Sequence, residues 1–243
     1  MTQRMANPLI RKLEQRDVLS NEERAVLESL VLETRTFRFG EVIVRQDEPL
    51  TRSCLLLEGF AARLRATRSG KRQIVALHVS GDFVDLHSFV LKRVDHTIEA
   101  MTTCQIAIVP HATLTRITER FPHLTRLLWL DTAIDGAMHR AWLSAMGSRA
   151  AAGQFAHFVC EMFLRLQSIG QTEGQSMRLP FTQIEIGEIL GLSSVHVNRT
   201  LQNLRADNLL RWQDQVITIL NWEGLARVAE FDPSYLMLRK EQR

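Results

Sequence analysis

The stretch Thr182-Gln-Ile-Glu-Ile-Gly-Glu-Ile-Leu-Gly-Leu-Ser-Ser-Val-His-Val-Asn-Arg-Thr-Leu-Gln-Asn-Leu-Arg205 decides how the chain is read. Thr182 and Glu185 have the spacing of a capping box, in which the threonine oxygen takes a free amide and the glutamate reaches back. Ile186, Ile189 and Leu190 then line one side of a short helix. Gly191 interrupts it, and Ser193 opens a second helix to about Ala206. Helix, glycine-containing turn, helix is the signature of a helix-turn-helix.

On a helical wheel Val197, Leu201 and Leu204 share the face that should pack on the first helix. Ser194, Val195, Asn198, Arg199 and Gln202 share the opposite face, which carries no acid before Asp207. Side chains near the N-terminus of such a helix reach base edges in the major groove. Arginine matches the two acceptors of guanine, while asparagine and glutamine match adenine. Free amides at the helix start, with Ser193, can hold a phosphate. Further on, Leu210-Arg-Trp212 and Val216-Ile-Thr-Ile-Leu220 flank a polar turn and predict a β-hairpin wing.

Upstream, Phe155, Phe158, Val159, Met162, Phe163 and Leu166 mark an amphipathic helix. The polar stretch from Gln167 to Arg178, with Gly170 and Gly174, reads as a loop. From Phe121 to Met146 a longer helix is expected, with Pro122 in its first turn. Leu127, Leu130, Ile134, Ala137, Ala141 and Ala145 form its stripe. The stripe fits either an identical helix or the chain's own barrel, and the dimer interface is the preferred reading.

Between Thr36 and Val109 the period changes. Short apolar runs (Val42-Ile-Val44, Cys54-Leu-Leu-Leu57, Ile74-Val-Ala-Leu77, Gln105-Ile-Ala-Ile-Val109) alternate with Gly40, Gly59, Gly70 and Gly81. This predicts a small antiparallel barrel or sandwich, with Ser69-Gly70-Lys71 as a hairpin tip. Ser20 and Glu23 form another capping box ahead of Val26, Leu27, Leu30 and Val31. The expected division is residues 1–120, a helix over 121–146, and 147–243.

Composition is that of an ordinary globular chain: 243 residues, 45% hydrophobic, 23% charged, net charge +3. The last region is nearly charge-balanced, so a positive patch there must be local. Cys54, Cys104 and Cys160 are scattered, without C-x-x-C spacing, which fits a reducing compartment. No signal peptide and no membrane span are expected. The chain has no P-loop, G-x-S-x-G, H-E-x-x-H or G-x-G-x-x-G motif, so an enzyme is not expected.

Together these residues resemble the Crp/Fnr transcription regulators. The resemblance runs over almost the whole chain and is most specific in Gly191-Leu-Ser-Ser-Val-His-Val-Asn-Arg-Thr-Leu201. It also takes in Gly40-Glu41 and Ser80-Gly81-Asp82-Phe83. It implies an α+β chain: an N-terminal antiparallel β-roll of the cyclic-nucleotide-binding type, a long dimerisation helix and a C-terminal winged helix-turn-helix. It further implies a cytoplasmic homodimer that binds a DNA palindrome, acts on RNA polymerase, and carries an effector site in the β-roll. By resemblance Arg199 is the base-reading arginine, Ser193, His196 and Gln183 contact the DNA backbone, and Ser194 and Val195 replace an arginine and a glutamate of the cyclic-AMP-responsive members. The alternative is a module of the same fold whose helix-turn-helix does not bind DNA.

The family's cyclic-nucleotide binders carry Gly-Glu after the Gly-Asp-Phe turn and Arg-Ser shortly beyond. Here Asp85-Leu86 and Val94-Asp95-His96-Thr97 stand instead, so cyclic AMP is not expected to bind. Three cysteines fall short of the four an iron–sulfur cluster uses. Haem, through His78, His87 or His96, or another small effector stays open. Asp85, His87 and Ser88 are the candidate effector residues.

Overall fold

The structure, a computed structural model, describes residues 7–66 and 72–242. It comprises two compact units: residues 7–65, 75–135 and 238–242 form the first, and residues 66, 72–74 and 136–237 the second.

The first unit opens with α1 (Pro8–Glu14). Asn7 caps it: its side-chain oxygen accepts from the Leu9 amide at 3.0 Å, while its own amide donates to the Leu27 carbonyl at 2.7 Å. The Ser20–Glu23 capping box opens α2 (Asn21–Glu28), which tightens into a 3-10 turn over Ser29–Val31. Five strands follow: β1 (Thr34–Phe37), β2 (Val42–Val44), β3 (Arg52–Glu58), β4 (Ala61–Ala66) and β5 (Arg72–His78). Then come α3 (Ser88–Leu91), β6 (Thr97–Ala100), β7 (Cys104–Pro110), α4 (His111–Arg120) and α5 (Pro122–Ser148). The expected hairpin tip at Ser69-Gly70-Lys71 lies outside the described residues.

The strands form two sheets, ordered β1-β7-β3 and β2-β6-β4-β5. β3 and β7 explain their unbroken apolar runs. Cys54, Leu56, Ile106 and Ile108 face a core shared by the two sheets. The alternating Leu55, Leu57, Ala107 and Val109 face a second core made with α1, α2, α4 and α5. A strand buried on both faces has no polar alternation to show. Asp47 takes the left-handed conformation at φ 61°. No helix among the described residues is long and apolar enough to cross a membrane.

The second unit is built on α6 (Ala151–Ser168), whose Phe155, Phe158, Val159 and Phe163 are buried. Next come β8 (Thr172–Glu173) and β9 (Ser176–Arg178). The stretch 167–178 is thus not simply a loop: Gly174, at φ 56°, turns a short hairpin. Then follow α7 (Gln183–Leu190), α8 (Ser194–Ala206), β10 (Leu210–Gln213), β11 (Val216–Ile219) and α9 (Trp222–Ala229). The wing turns at Asp214 and Gln215, both at positive φ, as a two-residue hairpin requires. The wing pairs onward with β9, giving a four-stranded sheet β10-β11-β9-β8.

The long helix runs two residues past its expected end, and the units divide inside it, after Asp135. Near its C-terminus Trp142 donates its indole N–H to both carboxylate oxygens of buried Glu161 at 3.0 Å. Tyr235 donates to the same carboxylate at 2.7 Å, and Arg165 pairs with it at 3.3 Å. A buried carboxylate held by three donors fixes α5 to α6 in one geometry.

Candidate nucleic-acid interface

The interface is assembled by α7, the turn after it, and α8. Thr182 and Glu185 complete their capping box in the structure. Gly191 ends α7 at φ 69°, a conformation that favours glycine. Gly187 matters as much: a Cβ there would lie 2.5 Å from the Leu192 carbonyl oxygen. That close approach lets the Leu192 amide donate to the Gly187 carbonyl at 3.0 Å and sets the tight turn.

Ser193 then caps α8, its hydroxyl accepting from the His196 amide at 3.3 Å. Val197, Thr200, Leu201 and Leu204 are buried, as the inward face requires. Ser194, Val195, His196, Arg199 and Gln202 are exposed. Val195 is 78% exposed, a cost for an aliphatic side chain unless something covers it. Arg199 makes no ion pair among the described residues, so its five donors are available. At the far end Arg205 donates to the Trp212 carbonyl, tying α8 to β10.

Asn198 and Gln183 are engaged with each other. Asn198 is half-buried: its amide donates to Gln183 Oε1 at 3.2 Å, and its oxygen accepts from Gln202 Nε2 at 3.0 Å. It cross-links α7 to the outer face of α8, with its own polar atoms engaged. Gln183 is half-buried on the far side of that link. The wheel places both residues but cannot show their partners.

Two family profiles match the chain in tandem: a cyclic nucleotide-binding domain over residues 34–121 and a Crp-like helix-turn-helix domain over residues 155–228. The chain belongs to the Crp/Fnr family. It is 23% identical over 211 residues to the transcriptional activator protein FnrA of Stutzerimonas stutzeri, covering 87% of this chain and 86% of that one. It is equally similar, with the same coverage, to the transcriptional activator protein anr of Pseudomonas aeruginosa. Among solved structures it resembles FixK2 from Bradyrhizobium japonicum, with a TM-score of 0.70 at 23% identity over 81% of this chain and 96% of that one. FnrA and anr are both transcriptional activators.

In the described part of the β-roll, the residues at the expected effector positions have partners within the chain. Asp85 is fully buried: one oxygen accepts from the Cys54 amide at 2.6 Å and the other from the Ser88 hydroxyl at 3.4 Å. Burial raises its pKa to about 7 against the pull of those hydrogen bonds. Ser88 lies 3.3 Å from both Ser53 and His111 Nε2 in the same buried cluster. Asp85 and Ser88, two of the candidate effector residues, are thus buried and anchor α3 to β3. Where the resemblance implies Arg-Ser, His96 donates to Asp95 at 2.9 Å, and that bond lowers the Asp95 pKa. Asp95 is also paired with Arg65 at 2.9 Å. Arg63, on β4, is committed to Asp135 at 3.0 Å and to the Val84 carbonyl. These residues do not fit a cyclic nucleotide.

His78 is buried 3.9 Å from Asp82, and His87 packs against His96 with ring centroids 5.3 Å apart. All three cysteines are buried, and burial pushes the Cys160 thiol up to about 12. Among the described residues no group of three or more His, Cys, Asp or Glu is placed to hold a metal.

The stripe on α5 turns inward. Leu127 is fully buried in the first unit's core, Leu130 packs against that core, and Ile134 is buried. Ala137 and Ala141 are half-buried. The expected interface residues Leu127, Leu130 and Ile134 are thus used by the chain itself. Within the first unit α5 exposes Trp129 and Ala133, and within the second Arg140 and Leu143. Periodicity marks an apolar face without telling whose surface covers it.

Proposed function

We propose that this Crp/Fnr-type regulator works in the cytoplasm as a homodimer that reads a palindromic DNA site with α8 in the major groove and acts on RNA polymerase. The observation that carries the reading is the outer face of α8: Arg199 exposed and unpaired beside exposed Ser194, Val195 and Gln202, on a helix capped at its start and tied down at its end. Arg199 reads a guanine through its two acceptors, and Val195 packs on a thymine methyl. Ser193, Ser194, His196 and the free amides of the first turn of α8 meet the phosphates. Asn198 holds Gln183 and Gln202 in place for their contacts.

A second copy pairs along the exposed side of α5, where Trp129 is 75% and Leu143 71% exposed. Large exposed apolar side chains on a long helix are what an identical helix covers. The effector, where one acts, is not a cyclic nucleotide.

Fluorescence anisotropy on DNA selected by the protein tests the reading. Arg199→Ala should weaken specific binding by about 1–3 kcal/mol, and affinity should fall steeply with salt as phosphates lose their partners. A flat salt response, with Arg199→Ala indistinguishable from the parent, would favour a module that does not read DNA.

A further inference from the structure

Trp142 and Leu143 are neighbours on α5 and face opposite ways. Leu143 is exposed, on the side proposed for pairing, while Trp142 is buried. The Trp142 indole N–H is shared by the two oxygens of Glu161 on α6, at 3.0 Å from each. Tyr235, at 2.7 Å, and Arg165, at 3.3 Å, donate to the same carboxylate. Glu161 itself is fully buried. All of these residues belong to the second unit.

Tyr235 comes from beyond α9. It stands in the 3-10 turn Pro233–Leu236, which Asp232 caps by accepting from the Ser234 amide at 2.9 Å. Its ring stacks on His157 of α6, with 14° between the planes. The corner between α5 and α6 is held a second time by Arg149, which donates to the Glu230 carbonyl at 3.1 Å. α6 in turn carries the reading helix. α8 packs on it, and Phe155 of α6 meets Trp212 of β10 with ring centroids 6.1 Å apart.

Stability alone does not call for this arrangement. Apolar side chains of similar volume would fill the space without desolvating a carboxylate. What the carboxylate adds is direction, because its hydrogen bonds weaken steeply as their angles close. Donors from α5, from α6 and from the turn after α9 are thereby tied to one point. The effect reaches α8 by leverage. An arm as long as α8, about 20 Å, swung by about 10° moves its end by about 3.5 Å, close to one base-pair step.

We propose that Glu161 is a positioning residue for DNA reading: it fixes the angle between the Leu143 side of α5 and α8, and with it the half-site spacing that a dimer accepts. This role rests on the dimeric regulator reading proposed above.

Fluorescence anisotropy of the full chain on three palindromes tests it. One is the selected site, and the others have one central base pair added or removed. The parent should prefer the selected spacing by about ten-fold or more. Tyr235→Phe keeps the ring and takes one donor from Glu161, and Trp142→Phe takes another from the opposite side. Each variant, shown to be folded by urea unfolding, should narrow that preference to about three-fold or less. The base preferences within a half-site should stay as in the parent. A residue that served stability alone would lower binding to all three sites in proportion and leave their ratio unchanged. A parent-like ratio in either folded variant overturns the proposal while the regulator reading stands. A parent that binds none of the three palindromes, or all three equally, contradicts the dimeric reading and the proposal with it.

Discussion

The side-chain amide of Asn198, on α8, donates to Oε1 of Gln183, at the start of α7, at 3.2 Å. With Gln202 bonded to the same side chain at 3.0 Å, Asn198 works as a clasp. Removing it loosens two neighbours and deletes no base contact of its own. Asn198→Ala should therefore weaken binding to all sites by a similar factor, about 0.5–1.5 kcal/mol. Arg199→Ala should cost about 1–3 kcal/mol and relax one base position. Binding measured across a panel of single-base variants of the site separates the two patterns.

Val195 makes its own prediction. Valine has no acceptor for the cytosine amino group, but its methyls suit thymine. The selected half-site should keep the guanine read by Arg199 and differ beside it from the site of the cyclic-AMP-responsive members. Val195→Glu should move the preference at that position toward a pair presenting cytosine. Recovery of the unmodified cyclic-AMP-type site by the parent protein would contradict the assignment.

His123 bridges Asp17 at 3.1 Å and Glu23 at 2.7 Å, joining the start of α5 to α2 and the residues before it. Burial pulls its pKa down, but the hydrogen bonds to Asp17 and Glu23 outweigh it, and the net shift is upward from 6.5. A raised folded pKa means stability that is fully present below the unfolded value and lost as pH rises through the folded one. The stability difference between parent and His123→Ala should therefore shrink as pH rises from about 6 to about 9. Urea unfolding at a series of pH values measures it. A difference that grows with pH would refute the sign.

On α5 the two faces should respond differently. Leu127→Ala opens a cavity in the first unit's core and should cost about 2–5 kcal/mol of folding stability. Leu143→Glu, on the exposed side, should leave folding nearly unchanged and shift the chain toward monomer. Light scattering and urea unfolding on both variants check this. Dissociation by Leu127→Ala in a fully stable chain would restore the inward stripe as the interface.

Much of this architecture is legible in the sequence where local chemistry decides it. The Thr182–Glu185 box, the break at Gly191 and the cap at Ser193 each follow from backbone groups that need partners nearby in the chain. The elements that escape a sequence reading lack such signals. α1 has seven residues, too few for a period, and β8 and β9 are two and three residues of mostly polar chain. Gly187 looks like a weak spot inside a helix until Leu192 is seen against it. Asp85 reads as a pocket residue because its neighbours fall in the family's effector region. Only its tie to the Cys54 amide, 31 residues back, shows that it faces the core. Distant partners, and the choice between self and neighbour on α5, are tertiary facts with no local trace.

Selection from a randomised DNA library by the purified protein, with Arg199→Ala run in parallel and the winners titrated with salt, decides whether α8 reads DNA. A dimeric DNA reader should enrich a palindrome whose half-sites are centred roughly 34 Å apart. It should also show a steep salt slope and lose one guanine preference in the variant. A library that emerges unenriched at low salt, or winners bound equally by Arg199→Ala, would contradict that reading.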